Sequence, residues 1–326
     1  MLRFLTRRVL GAIVILIAIS FVTYSSFFAL VPNPALLSCG KNCSPQMLHQ
    51  ITINLGFDKP WIVQWKDYVW GIFAGRDVTN FPHCNFPCFG YSYANQESIW
   101  GLISSSIPTT VSLAIGGAAI FLTIGVGLGM ISAARQGSTT DRVSSAVSLI
   151  GQSTQIYFVG PIMILIFSYY LGIFDRGHDP DWTHDPIGSI GGLILPCFVM
   201  SIIFWSNYSR QVRSLMIEQL SEDHIRSARA KGMSKSYVFL RYALRGAMGP
   251  VITIFGIDLA AVFSGAVITE FTFSLHGLGR LAVDSVNSYD LPLEMAVVLV
   301  SSMLIVFFNI LVDASYALID PRIRLA

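Results

Sequence analysis

Glu222-Asp223-His224-Ile225-Arg226-Ser227-Ala228-Arg229-Ala230-Lys231-Gly232 is a polar, helix-favouring run set between two stretches built for lipid. The segment around it, 209–246, carries eight Lys/Arg and three acidic residues. On either side lie 188–207 and 248–271, each of about the 20 mostly apolar residues that one helix needs to cross a bilayer. A membrane protein that holds a structured basic loop between two spans presents it to a soluble partner, and this organises the reading of the rest. The alternative is a solvated basic loop held by membrane surface charge.

Of the 326 residues, 53% are hydrophobic and 12% are charged, with a mean hydropathy of +0.61. Soluble domains carry about 25% charged residues, so the solvent for most of the chain is lipid. Six stretches suit a bilayer: 9–31, 107–134, 143–171, 188–207, 248–271 and 293–318. Asn207 and Asp258 blur the edges of the fourth and fifth. The predicted class is an all-α integral membrane protein with six transmembrane helices. Placing both termini in the cytoplasm puts 15 of the 21 Lys/Arg on that side, as the positive-inside rule requires. Thr6-Arg7-Arg8 before an apolar run resembles a signal peptide. The run is too long for one, and bulky Phe27-Phe28-Ala29-Leu30-Val31 replaces a cleavage site, so an uncleaved first helix is expected.

Three regions follow: 1–31 with the first helix, an extracytoplasmic insertion at 32–98, and a five-helix core at 99–326 containing the 209–246 loop. The insertion is too long for a plain connection. Asp58 and Pro60 predict a helix start, and Ile62, Trp65, Val69 and Ile72 recur at helical spacing behind them. Cys39, Cys43, Cys84 and Cys88 also lie in the insertion. Outside the cytoplasm two disulfides are expected, in one of three pairings, with a four-thiolate zinc site or free thiols as alternatives. Cys197 sits within a span. The 173–187 loop, with His178, His184 and four Asp, has ligand-like composition, but a solvated acidic loop explains it better.

Catalytic motifs are missing. No phosphate loop of the G-x-x-x-x-G-K-[ST] type occurs, and no H-E-x-x-H. Gly125-x-Gly127-x-Gly129 lies inside an apolar span, where small residues let helices approach rather than cradle a dinucleotide. The sequence therefore leads us to expect no catalytic residue, no metal and no cofactor in this chain.

Within the loop, Glu218 to Lys231 predicts a helix with acids ahead of bases, including an i,i+4 pair Glu222–Arg226. Ser227, Ala228 and Ala230 give it a low-relief surface. Gly232 suits the left-handed position past a helix end, and a second helical run spans Ser234 to Met248. In the fifth span Asp258, Ala261, Gly265, Thr269 and Thr272 share one face, within about 80° of arc at about 100° per residue. Such a stripe lines a pathway or packs helix on helix. Gln152 and Gln155, ahead of Pro161, are weaker pathway candidates.

The run Arg226-Ser227-Ala228-x3-Gly232 resembles the EAA loop of ABC importer permeases, in its oligopeptide/dipeptide permease variant. Ordered pieces along the whole chain agree: Arg7-Arg8, Leu55-Gly56-Phe57-Asp58-Lys59-Pro60, Ile107-Pro108-Thr109-Thr110, Arg241-Tyr242-Ala243-Leu244-Arg245, Gly277-Leu278-Gly279-Arg280 and Asp320-Pro321-Arg322-Ile323-Arg324. Arg226 stands where the general EAA pattern has Glu, and Arg245 where it has Pro. The peptide branch is similar to this chain at both points. The cysteine-bearing insertion looks like an elaboration on the pattern.

The resemblance implies a type I ABC importer permease fold in the bacterial cytoplasmic membrane. It implies a second homologous permease subunit and two cytoplasmic ATPase subunits that bind ATP and Mg. An extracytoplasmic lipoprotein would deliver the peptide, with no nucleic acid involved. It gives Glu222, Asp223, Arg226, Ala228, Arg229, Lys231 and Gly232 the role of coupling to the ATPases. Nickel and glutathione importers share these features. A self-assembling channel, or an anchor for soluble partners, is the alternative of another class.

Overall fold

Chains this apolar satisfy their backbone inside helices, because lipid offers no hydrogen bonds. The computed structural model describes residues 2–29, 35–36, 44–54, 59–78, 81–175 and 177–319, and it is helical almost throughout. Cys39, Cys43, Asp58 and the closing 320–324 motif lie outside the described residues. Helix α1 is Leu2–Tyr24, α2 Pro45–Asn54, α3 Trp61–Ala74, α4 Ile99–Ala134 and α5 Thr139–Ser153. Next come α6 Ile156–Met163, α7 Pro186–Ser221, α8 Asp223–Ala230, α9 Leu244–Phe273, α10 Leu278–Ser288 and α11 Leu291–Ile319. Wider π-helical turns extend α1 over Ser25–Ala29 and α6 over Ile164–Tyr170, and lead into α9 over Val238–Ala243.

Among the described residues, five helices are long and apolar enough to span a bilayer, in the regions of α1, α4, α7, α9 and α11. The third expected span, 143–171, is not one straight helix. It is broken between Ser153 and Ile156, where the chain turns through 106°. The cause is local. Thr154 and Gln155 are extended (ψ 127° and 138°), while the Ser153 and Thr154 hydroxyls donate to Ile150 O at 2.9 and 2.7 Å and close off α5. The apolar half, Ile156–Tyr170, rises only about 22 Å, short of a hydrocarbon core of about 30 Å.

Two units emerge, Met1–Thr110 with His276–Ile310 and Val111–Leu275 with Leu311–Ala326. In the first, Tyr24, Tyr68, Ile72, Phe89, Ile99, Ile103 and the 291–300 stretch of α11 form the core. Helix α3 starts at Trp61 with Pro60 at its N-cap, so the proline precedes the first turn instead of entering it. Its buried face is Gln64, Tyr68, Gly71 and Ile72, while Ile62 points outward. Tyr24 donates to Gln64 Oε1 at 3.0 Å, and Trp65 Nε1 to Ser20 Oγ at 3.3 Å. A two-residue antiparallel bridge joins Arg76 to Cys84, and Cys84 is disulfide-bonded to Cys88. The Arg76 guanidinium lies 5.1 Å from the Tyr68 ring centre.

In the second unit, α4 and α7 meet along a glycine seam. A Cβ on Gly125 would come within 2.7 Å of Tyr208 Cβ, and one on Gly129 within 2.7 Å of Val212 Cβ. Nothing lies within 4 Å of that position on Gly127. Close helix approach therefore uses Gly125 and Gly129 of the G-x-G-x-G run, and Gly116 and Gly117 continue it toward Cys197 and Met200. Cys197 is buried with a free thiol.

Candidate functional site: the loop between α7 and α9

Helix α7 starts where Asp185 accepts from Gly188 N at 2.9 Å, with Pro186 in the first turn, and then runs for 36 residues. That is about 54 Å, well beyond a hydrocarbon core of about 30 Å, so its last turns carry the loop clear of the apolar layer. The single helix expected from Glu218 to Lys231 is interrupted. Glu222 is extended (φ −67°, ψ 149°), ends α7 and occupies the N-cap of α8. The expected Glu222–Arg226 pair gives way to Asp223–Arg226 at 3.3 Å, one position later. Both partners are exposed, so the pair contributes little. Asp223 in the first turn and Arg229 in the last still complement the helix dipole.

Ile225 and Ala228 are the buried residues of α8. Asp223, Arg226, Ser227 and Ala230 are exposed on the far side. Ala228 thus seats the helix instead of forming its outer surface, and Ser227 and Ala230 remain as the low-relief patch. Past Ala230 the chain reverses at Gly232, whose φ of +79° belongs to the left-handed region. Met233 N reaches back to Ala228 O at 3.4 Å, closing the helix end. Ser234 then accepts from Tyr237 N and starts the helix that continues into α9.

Each flank of α8 borders a cavity. On one side lies a space of about 820 Å³, lined by Gln219, His224, Tyr237, Arg241, Tyr242, Arg245 and Gly246. On the other, about 520 Å³ is lined by Arg229, Lys235, Phe239, Leu240 and the end of α4.

The base of the loop is tied down by charge. Arg213 of α7 donates to both Asp141 oxygens, at 2.6 and 2.8 Å, and Asp141 also accepts from Ser132 and from Gly137 N. Three elements meet at this carboxylate. The residues are 72 positions apart, and neither was singled out from sequence. Arg210 donates to Gln152 Oε1 at 2.6 Å, which gives one pathway candidate a partner on α7. Gln155 is exposed at the N-cap of α6. On α9, Thr269 is fully buried and Asp258 is half-buried beside the Tyr208 hydroxyl. Phe121 packs between Phe204, Tyr208 and Phe255 next to this pair. Gly265 lies within α9, where the surroundings of its position are not described.

The 173–187 loop has its own internal order. The Asp181 carboxylate accepts from Thr183 Oγ1 at 2.7 Å and from His184 N at 3.1 Å, and these bonds hold it below the usual carboxylate range.

Residues 125–325, which include all of this loop, match the family model described as the binding-protein-dependent transport system inner membrane component. The chain belongs to that family. The family's N-terminal model matches residues 1–114 and runs through the whole of 32–98, so that segment falls within the family pattern. Among relatives, the dipeptide transport system permease protein DppB of Escherichia coli K12 is 29% identical over 348 aligned residues, covering 99% of each chain. The di/tripeptide transport system permease protein DppB of Pseudomonas aeruginosa is 31% identical, again over 99% of each. A Brucella abortus protein provisionally named a peptide transport system permease is 30% identical over 98% of each. This permease is accordingly a multi-pass inner membrane component of an ABC transport system.

Proposed function

We propose that this chain forms half of the translocation pathway of an ATP-driven importer of oligopeptides or dipeptides. The loop at 222–232 faces the cytoplasm and docks on one of two ATPase subunits. ATP and Mg are held by those subunits, and a second permease completes the pathway. An extracytoplasmic lipoprotein presents the peptide. Full-length likeness to peptide permeases supports the substrate class.

The observation that carries the coupling role is the placement of α8 between α7 and the helix leading into α9, linked to them by Glu222 alone on one side and by the short turn at Gly232 on the other. The outer face of α8 is free while Ile225 and Ala228 are packed, so a push on Arg226, Ser227 or Ala230 passes into two long apolar helices. Glu222, Asp223, Arg229, Lys231 and Gly232 frame that face. Of the pathway candidates, we assign half-buried Asp258 and exposed Gln155 to the pathway. Buried Thr269 and the Arg210-bonded Gln152 support the helices around it, and Gly265 stays a pathway candidate.

The test is co-purification from the membrane followed by a peptide-stimulated ATPase assay on the reconstituted complex. The reading expects two ATPase subunits, a second permease and stimulation by peptide. A preparation that transports peptide passively with no ATPase subunit would identify a channel, and one with no transport at all an anchor.

A further inference from the structure

Asp258 is a carboxylate set deep in an apolar span. It stands ten residues into the 248–271 stretch, about 15 Å along the helix axis and so near the middle of a hydrocarbon core of about 30 Å. Among the described residues, no lysine, arginine or histidine lies within ion-pair distance of it. Its polar neighbour is the Tyr208 hydroxyl of α7. Tyr208 is 1% exposed, so that hydroxyl backs the carboxylate and does not meet anything arriving from outside.

The carboxylate is reached from another side. Thr253, Ile257 and Ala261 are exposed along α9 at helical spacing, and half-buried Asp258 borders this stripe. Ala261, one turn on from Asp258, is small and leaves room beside it. Ionisable groups at this depth face protein or water and not lipid, and the substrate sites of transporters lie near the midplane.

The chemistry selects the ligand. An ionised carboxylate only accepts hydrogen bonds, attracts positive charge and repels the carboxylate end of a peptide. A divalent metal ion would need about six oxygen ligands, and no group of metal-ligating side chains forms among the described residues. An ammonium group brings three N–H donors, which one carboxylate and water satisfy. A linear peptide carries such a group at its first residue whatever its side chains, so this contact suits substrates of varied sequence.

We propose that Asp258 receives the α-ammonium group of the peptide, with Tyr208 holding the carboxylate in place. The proposal rests on the pathway role given to Asp258 above.

Uptake is measured in vesicles holding the assembled complex, with wild-type or Asp258→Asn permease and the same lipoprotein saturated with peptide. The probes are tri-alanine, its C-terminal amide and its N-acetyl form. The lipoprotein is common to both preparations, so its own preference cancels when each probe's rate in the variant is divided by its rate in wild type. Asp258→Asn should slow the two free-amine peptides about fivefold, as for one charged hydrogen bond at a half-buried group, and the N-acetyl peptide less than about twofold. Asp258→Glu should slow the free-amine peptides less than Asp258→Asn does. Equal slowing of all three probes would overturn the ammonium contact and leave Asp258 on the pathway. No slowing of any would remove it from the pathway as well. Loss of complex yield in the Asn variant, or an N-acetyl peptide that the lipoprotein does not take, moves the test to the wild-type complex. There tri-alanine amide, and not its N-acetyl form, must protect Asp258 from a hydrophobic carbodiimide, read by mass spectrometry. Equal labelling with both would overturn the proposal.

Discussion

Arg213 grips Asp141 with both ends of its guanidinium, Nε to Oδ1 at 2.6 Å and Nη2 to Oδ2 at 2.8 Å, and so joins α7 to the first turn of α5. Asp141 is 4% exposed, and it also holds Ser132 at the end of α4 and Gly137 N. Losing one member of a buried pair typically costs about 3–5 kcal/mol. The Arg213 side chain is 31% exposed, so roughly 2–3 kcal/mol is expected here. Asp141→Ala should cost more than Arg213→Ala, because it also orphans Ser132 and Gly137 N. Thermal unfolding of both variants and the double variant in detergent checks this. Additive effects would mean that the pair is not coupled.

Gly232 needs its left-handed backbone, and a Cβ there would meet nothing within 4 Å. Conformation is therefore separable from bulk. Gly232→Asn, which tolerates that geometry, should transport nearly as wild type. Gly232→Val should lose about 1–2 kcal/mol of loop stability and most of its transport. Gly232→Trp adds bulk at the docking face and should uncouple transport while membrane insertion stays intact. Transport by reconstituted vesicles and yield of inserted protein are the two readouts. Normal transport by the Trp variant would remove 222–232 from the coupling role.

The disulfide joining Cys84 and Cys88 sits in a segment whose Cys88 N also bonds to Ile72 O at 3.0 Å, while Cys197 is buried among α4 and α7 side chains. Differential alkylation should label Cys197 only after unfolding, and Cys84 and Cys88 only after reduction. Labelling of Cys84 in the native, unreduced protein would count against the bond.

How much of this was legible follows from what each residue can signal. Gly232 and the pair Gly125 and Gly129 were readable because a missing side chain has few uses in a helix: a reversal or a close approach. The break at 153–155 was not, because Ser and Thr hydroxyls bond equally well to carbonyls of an unbroken membrane helix. The packing face of α3 was legible in part: Trp65, Val69 and Ile72 of its periodic set pack on the core, while Ile62 is exposed and Gln64 and Tyr68, which carry no strong apolar signal, turn inward to hydrogen-bonding and ring contacts. The Asp141–Arg213 tie joins residues far apart in the chain, and nothing local marks it.

Asp290 offers a pH test. It is 1% exposed at the turn between α10 and α11, and it accepts from Ser92 Oγ, Leu293 N and Ala94 N. Burial outweighs these bonds and raises its carboxyl above the usual range. A group with a raised folded value binds its proton more tightly folded than unfolded. Its contribution is fully present below the ordinary carboxylate value of about 3.9 and is lost as pH rises through the folded one. The difference in unfolding temperature between wild type and Asp290→Asn should therefore shift against wild type as pH rises through that window. A difference independent of pH would remove Asp290 as the source.

Asp258 carries the most information about the pathway. Its carboxyl stands beside the Tyr208 hydroxyl on α7, yet it is only half-buried, so one side meets a helix and the other is open. An ionisable group within an apolar span persists where protein or water receives it. Asp258→Asn keeps the shape and removes the charge. Tyr208→Phe keeps the charge and removes the hydroxyl. With Asp258 on the pathway, the Asn variant should transport peptide several-fold more slowly with complex yield and basal ATPase activity near wild type. The Phe variant should lose about 1 kcal/mol or less of stability and little transport. Parallel loss of complex yield in both variants would reassign Asp258 to the α7–α9 contact.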